Sequence, residues 1–372
     1  MTEKGNHVRI SRRPLWAAFL AVGIAVPTVA AVGANAAAAG STAGLTTTVQ
    51  IGQVTSDALT VRFTVRNTSS SAVNVLSRDL PQARESRAIL AVTRDGVPVP
   101  YRGKLVKLAA PTAADYTRIP ADGAYAVTVN LADDYDLSRP GTFTVALAST
   151  QVRALKGTSA ALQDTLRVNA GRVTVRTSVG IRGAGKLSSI APTTTERVRL
   201  AAAAAAVSIT YRGCTTSEQT ALKQAVGNAA QLSQKSEAWL AANPSGGGAY
   251  ATWFGTYSSS RFTRVNSAYS RITSELTSKT VTLDCTSDED YYAYVYPDEP
   301  YVIYLCNAFW TAPATGTDSK AGTLVHESSH FTVNGGTDDH AYGQTAAKQL
   351  ARSSPSNAVD NADNYEYFAE SR

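Results

Sequence analysis

The chain has 372 residues, a formal net charge of +6, 17% charged residues and a hydrophobic share of 44%. This length allows two domains with separate cores, and the composition excludes a largely disordered chain. A basic chain can bind nucleic acid, but no dense Lys/Arg run or recognisable nucleic-acid motif accompanies the charge, so no nucleic-acid partner is expected.

The charges are divided unequally along the chain. Residues 207–372 carry 11 Lys and Arg against 17 Asp and Glu, whereas the preceding 206 residues carry 24 against 12. Opposite net charges favour association of the two halves. The asymmetry therefore indicates two domains of opposite charge that bind each other.

Residues 1–36 have the organisation of a secretory signal peptide. Basic residues precede an apolar run from Leu15 to about Val32, and Ala34-Asn35-Ala36 is a small-x-small cleavage signature. A single-pass anchor is the alternative, because the run is near the minimum length for a span. Ser11-Arg12-Arg13 leaves both the general and the twin-arginine export routes open. The mature protein is expected to be secreted, with no membrane association after signal removal.

Residues 37–180 are predicted to form an antiparallel β-sandwich prodomain. Ala58–Arg66 and Tyr125–Leu131 alternate polar and apolar residues, as half-buried strands do. Asp95-Gly96 predicts a type I′ hairpin turn, which needs positive φ at both central residues. No histidine or cysteine occurs in this region, so its expected role is to assist folding or to inhibit rather than to catalyse.

Residues 181–206 are predicted to be a linker or processing region. The segment is rich in Ser, Thr and Pro and then contains six alanines, Ala201–Ala206. Arg197 or Arg199 would be accessible to a processing protease. A plain linker, or a short helix started by the alanines, is the alternative.

Residues 207–372 are predicted to form a mainly α, α+β domain. Ser217–Leu240 and Phe262–Leu276 have helical spacing of apolar residues, while Tyr291–Tyr296 and Tyr301–Cys306 alternate as in a hairpin. Asp318-Ser319 is the expected N-cap of a further helix, and Asn334-Gly335-Gly336 is its expected end.

That further helix carries His326-Glu-Ser-Ser-His330, which contains two of the four histidines of the chain. Residues at i and i+4 lie on one helix face, so both imidazoles can bind one Zn²⁺ while Glu327 reaches a water on the metal. A catalytic zinc needs a third protein ligand. Asp338, Asp339 and His340 are all candidates from the residues alone.

The segment after the histidines resembles the aspzincin metallopeptidases, whose signature is HExxH followed by GTxDxxYG. Gly336-Thr-Asp-Asp-His-Ala-Tyr-Gly343 matches every fixed position of that signature. A metzincin would need Gly and His where Val333 and Gly336 stand. The resemblance implies that His326, His330 and Asp339 bind one zinc ion, that Glu327 is the catalytic carboxylate, and that Tyr342 stabilises the oxyanion. The alternative for Tyr342 is an ordinary packed tyrosine.

Further segments resemble the peptidyl-Lys metalloendopeptidase branch of this family, among them Ala293–Pro297 and Asn361–Phe368. The branch selects lysine after the scissile bond through two carboxylates, and Asp363 and Glu366 occupy the matching positions. Two recessed carboxylates suit an ammonium group. The alternative is that both lie on a solvated surface or cap a turn.

The cysteines depart from the pattern of this branch, which has two disulfides. The C-terminal half contains only Cys214, Cys285 and Cys306, and Ser287 stands where the fourth cysteine is expected. The resemblance implies a Cys214–Cys285 bond with Cys306 free; Cys285–Cys306 is the alternative.

The expected function is that of a secreted zinc endopeptidase acting on proteins or peptides with accessible lysine, by Glu-assisted attack of zinc-bound water. Its own prodomain is the expected partner before processing. A broad-specificity, deuterolysin-like peptidase is the first alternative. The second is a secreted binding protein with a structural zinc, in which the β-sandwich is the functional part.

Overall fold

A computed structural model describes residues 31–32, 44–156, 159–183 and 207–372. The predicted signal peptide lies outside the described residues, except for the short strand β1 (Ala31–Val32). The predicted processing region lies outside them from residue 184 to residue 206. No helix among the described residues combines the length and the apolar character needed to span a membrane.

The N-terminal region, residues 44–183, consists mainly of β-strands. They are β2 (Leu45–Val54), β3 (Leu59–Asn67), β4 (Val73–Leu76), β5 (Leu90–Arg94), β6 (Val97–Pro98), β7 (Leu105–Lys107), β8 (Tyr116–Ile119), β9 (Ala124–Asn130), β10 (Gly141–Leu147), β11 (Gln151–Lys156), β12 (Ser159–Ala170) and β13 (Arg172–Thr177). One sheet has the order β1-β13-β10-β5-β6 and a second has the order β8-β4-β11-β12-β2-β3-β9. Strand β7 belongs to neither sheet.

Both sheets contribute side chains to one hydrophobic cluster. Strand β3 buries alternate residues, including Val61 and Phe63, and Phe143 and Val145 of β10 reach the same cluster from the other sheet. The period-2 patterns therefore predicted these strands to within a residue or two. The hairpin prediction is also confirmed, since Asp95 and Gly96 have φ of 51° and 81°.

The C-terminal region, residues 207–372, packs helices against a sheet. Its helices are α1 (Thr216–Ala242), α2 (Gly248–Phe254), α3 (Ser259–Ser278), α4 (Asn307–Thr311), α5 (Lys320–His330), α6 (Gln344–Ser353), α7 (Pro355–Ala358) and α8 (Ala362–Glu370). Its strands are β14 (Ser208–Arg212), β15 (Thr280–Asp284), β16 (Ala293–Val295) and β17 (Val302–Leu305). The sheet order is β14-β15-β17-β16-β7, so a strand of the N-terminal region completes this sheet.

Helix α5 lies at the centre of the C-terminal region, in contact with α1, α3 and α8, and residues 321–330 are all buried. Ser319 is its N-cap, and its Oγ accepts a hydrogen bond from the Gly322 amide at 2.9 Å. The predicted end at Asn334-Gly335-Gly336 was wrong. The helix ends at His330, because Phe331 adopts extended backbone (ψ 130°) and buries its ring beside Tyr301.

The cysteines have the arrangement that the resemblance implied. A disulfide joins Cys214, just after β14, to Cys285, just after β15. Cys306 is free and buried, and its Sγ lies 3.3 Å from the Oγ of Ser287. A serine–cysteine contact therefore stands where the branch is expected to have a second disulfide.

Glu275 of α3 forms hydrogen bonds at the C-terminal end of α5. Its buried carboxyl group accepts hydrogen bonds from Ser328 Oγ at 3.0 Å and from Asn334 Nδ2 at 2.5 Å. Burial raises the pKa of Glu275 to about 8, although both hydrogen bonds act in the opposite direction. The group is therefore protonated in the folded protein at neutral pH.

We expect Glu275 to make stability fall as the pH rises from about 4.5 to about 8. Over this window the unfolded chain has released a proton that the folded chain still holds, with a slope of up to about 1.4 kcal/mol per pH unit. Glu275→Gln should remove this contribution. Urea unfolding across the window measures it, with Glu327→Gln in both proteins to prevent self-digestion. Parallel pH profiles for the two proteins would contradict the assignment.

Candidate functional site

Helix α5 places His326 and His330 on one face, as their i, i+4 spacing predicted. Their ring centroids are 4.8 Å apart, and both side chains are completely buried. Burial of two imidazoles requires compensating polar contacts. Those contacts come from the chain that follows the helix.

Asp339 returns to the two histidines after a tight turn. Gly336 has φ of +54°, a conformation that favours glycine, and the Thr337 amide donates to the Ser329 carbonyl at 3.2 Å. This reversal places the Asp339 carboxylate oxygens 3.3 Å from His326 Nε2 and 3.4 Å from His330 Nε2. Burial opposes ionisation of Asp339, but the two histidines lower its pKa well below the usual range.

A hydrogen bond of His330 Nδ1 and a close contact of His326 Nδ1 leave the Nε2 atom of each ring facing Asp339. His330 Nδ1 donates to the Thr337 carbonyl at 2.9 Å, because a carbonyl can only accept. His326 Nδ1 lies 2.9 Å from Asp363 Oδ1. In each ring Nε2 is left as the available electron-pair donor, which is how carboxylates and carbonyls orient metal-binding histidines.

This donor set fits a zinc ion. His326 Nε2, His330 Nε2 and both Asp339 carboxylate oxygens are buried and lack a hydrogen-bond partner, and the three residues offer ligand atoms within 4.8 Å of one another. Two imidazoles and one carboxylate are a common catalytic zinc ligand set. A second grouping, His326 with Asp363 and Glu366, shares one imidazole, but its carboxylates already face the amine of Lys107.

The structure separates the two rival third ligands from this group. His340 Nε2 pairs with Asp360 Oδ2 at 2.9 Å, and its side chain is 26% exposed. Asp338 Oδ1 accepts a hydrogen bond from the Asp339 amide, and its backbone pairs with Asn361. Neither residue contributes to the groupings of potential metal ligands found among the described residues.

Glu327 lies between the two histidines on α5. Its side chain is completely buried, and neither carboxylate oxygen has a hydrogen-bond partner. Burial raises the pKa of Glu327 to about 7, while His326 and His330 act to lower it. A carboxylate with this pKa can accept and return a proton near neutral pH.

Tyr342 approaches the site from the loop that follows Asp339. Its buried hydroxyl group donates a hydrogen bond to the main-chain carbonyl of Val106 at 3.0 Å. The guanidinium of Arg78 lies over the ring, 4.6 Å from its centroid. Burial raises the pKa of Tyr342 well above its usual value, so the hydroxyl stays protonated and can donate to a carbonyl oxygen.

Asp363 and Glu366 of α8 line a buried acidic pocket beside His326. The Lys107 ammonium lies 3.3 Å from Asp363 Oδ1 and 2.6 Å from Glu366 Oε2, and all three side chains are completely buried. Asp318 is a third carboxylate in the pocket, with Oδ1 3.3 Å from the same ammonium. The solvated-surface alternative for Asp363 and Glu366 is therefore wrong.

In the acidic pocket, the Lys107 ammonium and the surrounding carboxylates shift one another's pKa values. Burial would lower the pKa of Lys107, but Asp363, Glu366 and Asp318 raise it well above the usual value. Burial likewise opposes ionisation of Asp363, and the Lys107 charge keeps its pKa low. The ammonium therefore remains charged inside the protein.

Sequence reasoning missed several members of this pocket. Asp318 was assigned to the helix cap, yet its carboxylate faces Lys107 and accepts a hydrogen bond from Tyr367 at 2.6 Å. The rings of Tyr292 and Tyr367 lie 5.5 Å and 5.3 Å from the ammonium. Lys107 itself had one sequence signal, a charge inside the apolar run Leu105-Val-Lys-Leu108.

Comparison with known proteins agrees with this geometry. A family model described as lysine-specific metallo-endopeptidase of the aspzincin type matches residues 239–370. The chain is 37% identical over 328 residues to a protein named extracellular protease from Aeromonas hydrophila, covering 88% of this chain and 92% of that protein. It is 50% identical over 162 residues to a peptidyl-Lys metalloendopeptidase from Pleurotus ostreatus, covering 43% of this chain and 96% of that one.

Among solved structures, a zinc peptidase from Grifola frondosa matches with 51% identity and a TM-score of 0.41, covering 42% of this chain and 96% of that chain. The Aeromonas relative spans both the β-rich region and the helical region of the present chain. With the HExxH helix, the family model and the sequence relatives establish that the chain belongs to the aspzincin family of zinc metalloendopeptidases.

Proposed function

We propose that this metalloendopeptidase is secreted, binds one zinc ion and cleaves peptide bonds on the amino side of lysine. In this proposal residues 37–180 are a β-sandwich prodomain, residues 181–206 carry the processing site, and residues 207–372 are the catalytic domain. The observation that carries the proposal is the buried acidic pocket beside His326, which already holds an amine. Named relatives with lysine specificity and an extracellular relative support it.

His326, His330 and Asp339 are the proposed zinc ligands. Their unpartnered Nε2 and carboxylate atoms converge in a site without solvent exposure. Zinc bound there would supply Lewis acidity, which activates water and polarises a peptide carbonyl near neutral pH.

Glu327 is the proposed general base and acid. Its buried carboxylate interacts electrostatically with His326, His330 and Asp339, which supports a position near the proposed ligands. With a pKa near 7, it can take the proton of the attacking water and then pass it to the departing amine. The leaving group would be the α-amine of the lysine residue.

Tyr342 is the proposed hydrogen-bond donor to the carbonyl oxygen of the scissile bond. Its contact with the Val106 carbonyl supports this role, since the hydroxyl already donates to a main-chain oxygen beside the site. Negative charge develops on this oxygen during attack, and a positioned donor in a buried site stabilises it.

Asp363, Glu366 and Asp318 are proposed to select the lysine side chain. Three carboxylates and two tyrosine rings surround one ammonium position, and Asp363 and Glu366 are completely buried. An uncharged side chain would leave these carboxylates without a counter-ion, which costs several kcal/mol in a buried site. This cost argues against the broad-specificity alternative. The binding-protein alternative does not fit membership in a peptidase family whose HExxH glutamate lies in the site.

We expect Glu327→Gln to lower kcat by about 10²- to 10⁴-fold, since it removes the group that moves the proton. Zinc content should stay at one ion per chain, because Glu327 is not a proposed ligand. Hydrolysis of a lysine-containing peptide and elemental analysis give the two quantities. An unchanged kcat would refute the proposed role.

Asp339→Ala should lose zinc, because two imidazoles alone hold a catalytic zinc weakly. Elemental analysis after dialysis should give well below one ion per chain. His340→Ala is the matched control and should retain zinc, since its ring pairs with Asp360 instead. If the His340 variant lost zinc and the Asp339 variant kept it, the third ligand would be His340 and not Asp339.

A digest of an unfolded protein by the active enzyme should produce fragments that begin with lysine, because the ammonium of that residue fills the acidic pocket. Sequencing of the new N-termini by mass spectrometry tests this. Termini with mixed residues would favour the broad-specificity alternative.

The Asp318→Asn variant tests how much one carboxylate of the acidic pocket contributes to the cleavage of lysine peptides. Asp318 contacts the ammonium but none of the proposed zinc ligands, so kcat/KM for lysine peptides should fall about 10-fold or more while zinc is retained.

A further inference from the structure

Strand β7 occupies the open edge of the sheet beside the candidate site. It pairs antiparallel with β16, with Leu105 opposite Val295, Val106 opposite Tyr294 and Lys107 opposite Ala293. Addition of an extended segment to a sheet edge is a general mode of peptide binding. Here the segment added to the edge is β7, which belongs to the N-terminal region.

The side chain of Lys107 is completely buried in the acidic pocket. Its ammonium is 0% exposed and contacts carboxylates from α8 and from the loop that precedes α5. Removing one partner from a buried ion cluster leaves uncompensated charge and is strongly destabilising. The N-terminal and C-terminal regions are thus joined by an interaction that requires a lysine at this position.

The main chain of β7 is aligned as well as its side chain. The carbonyl that accepts a hydrogen bond from Tyr342 is that of Val106, the residue immediately before Lys107. The Lys107 carbonyl accepts a hydrogen bond from the Tyr292 amide at 3.1 Å. The Val106–Lys107 peptide bond thus stands between the oxyanion tyrosine and the lysine pocket.

Further contacts between the two regions help to keep this strand in place. Lys104 pairs with Glu289 at 2.6 Å, and Arg87 donates to the main-chain carbonyl of Asp339 at 3.4 Å. A substrate peptide lacks these attachments to a folded domain. Even if the Val106–Lys107 bond were hydrolysed, the new ends would remain tethered to the N-terminal region.

We propose that strand β7 is an internal pseudosubstrate. It occupies the cleft formed by the proposed zinc ligands, Tyr342 and the acidic pocket, in the register of a peptide about to be cut before lysine, and so inhibits peptide cleavage by the unprocessed chain. This inference rests on the proposed lysine specificity and extends it to regulation. Full release would require loss of the N-terminal region from the cleft.

The experiment compares full-length chains on a short, end-blocked lysine peptide. Lys107→Ala should raise the initial rate at least 10-fold over the unaltered chain, because the pocket carboxylates lose their counter-ion and the strand leaves the cleft more often. Arg118→Ala is the control, since it removes one positive charge from an exposed position on β8. Intact mass, zinc content and thermal unfolding are recorded for every chain, so that only folded, unprocessed protein is compared.

Amine acetylation of full-length Glu327→Gln protein gives a second measurement that needs neither activity nor a Lys107 variant. Lys107 should react at least 10-fold more slowly than Lys223 and Lys235, which are exposed. Peptide mapping by mass spectrometry follows each residue. Equal acetylation rates would overturn the proposal, because a lysine sealed in the pocket cannot react as an exposed one does.

The outcomes separate this inference from the function on which it rests. If no processed or altered form cuts before lysine, the proposed specificity fails. If some form cuts before lysine while folded Lys107→Ala is as slow as the unaltered chain, the pseudosubstrate assignment fails and the specificity stands. Faster cleavage by Lys107→Ala but not by Arg118→Ala supports both.

Discussion

The rest of the site depends on the contacts that the buried carboxylate of Asp363 makes. It accepts a hydrogen bond from the Gly343 amide at 2.6 Å, lies 2.9 Å from His326 Nδ1 and faces the ammonium of Lys107. This one carboxylate thereby holds the loop that carries Tyr342, orients the imidazole of His326 and forms part of the acidic pocket. A carboxylate in this interior is tolerated only because each oxygen has a positive or donating neighbour.

Charge is also what brings the two halves of the chain together. The sequence showed a basic first half and an acidic second half, and the structure identifies the residues that use the difference. Lys104 meets Glu289, Lys107 meets the three pocket carboxylates, and Arg87 reaches the backbone of the Asp339 loop. An exposed ion pair, Arg102 with Asp298 at 3.5 Å, adds to these contacts.

Patterns within a short stretch of sequence were the most predictable. The i, i+4 histidines, the Asp95-Gly96 turn and the alternating strands each depend on backbone geometry over a few residues, and the structure has all three. The end of α5 was misplaced because the burial of Phe331, a tertiary effect, outweighed the later glycines. Lys107 could not be assigned, since its partner Asp363 is 256 residues away and its place in a short apolar run does not show what its charge contacts. Asp318 was missed because its neighbour Ser319 already explained the helix start.

The two edges of the five-stranded sheet are closed in different ways. At one edge β14 is held to β15 by backbone pairing and by the Cys214–Cys285 bond, so this edge is permanent. At the other, β16 is only three residues long and is covered by a strand from a different part of the chain. An uncovered edge of this length offers few free backbone groups to another sheet, which limits aggregation. If β7 leaves this edge as proposed, the exposed strand is too short to become an effective template for self-association.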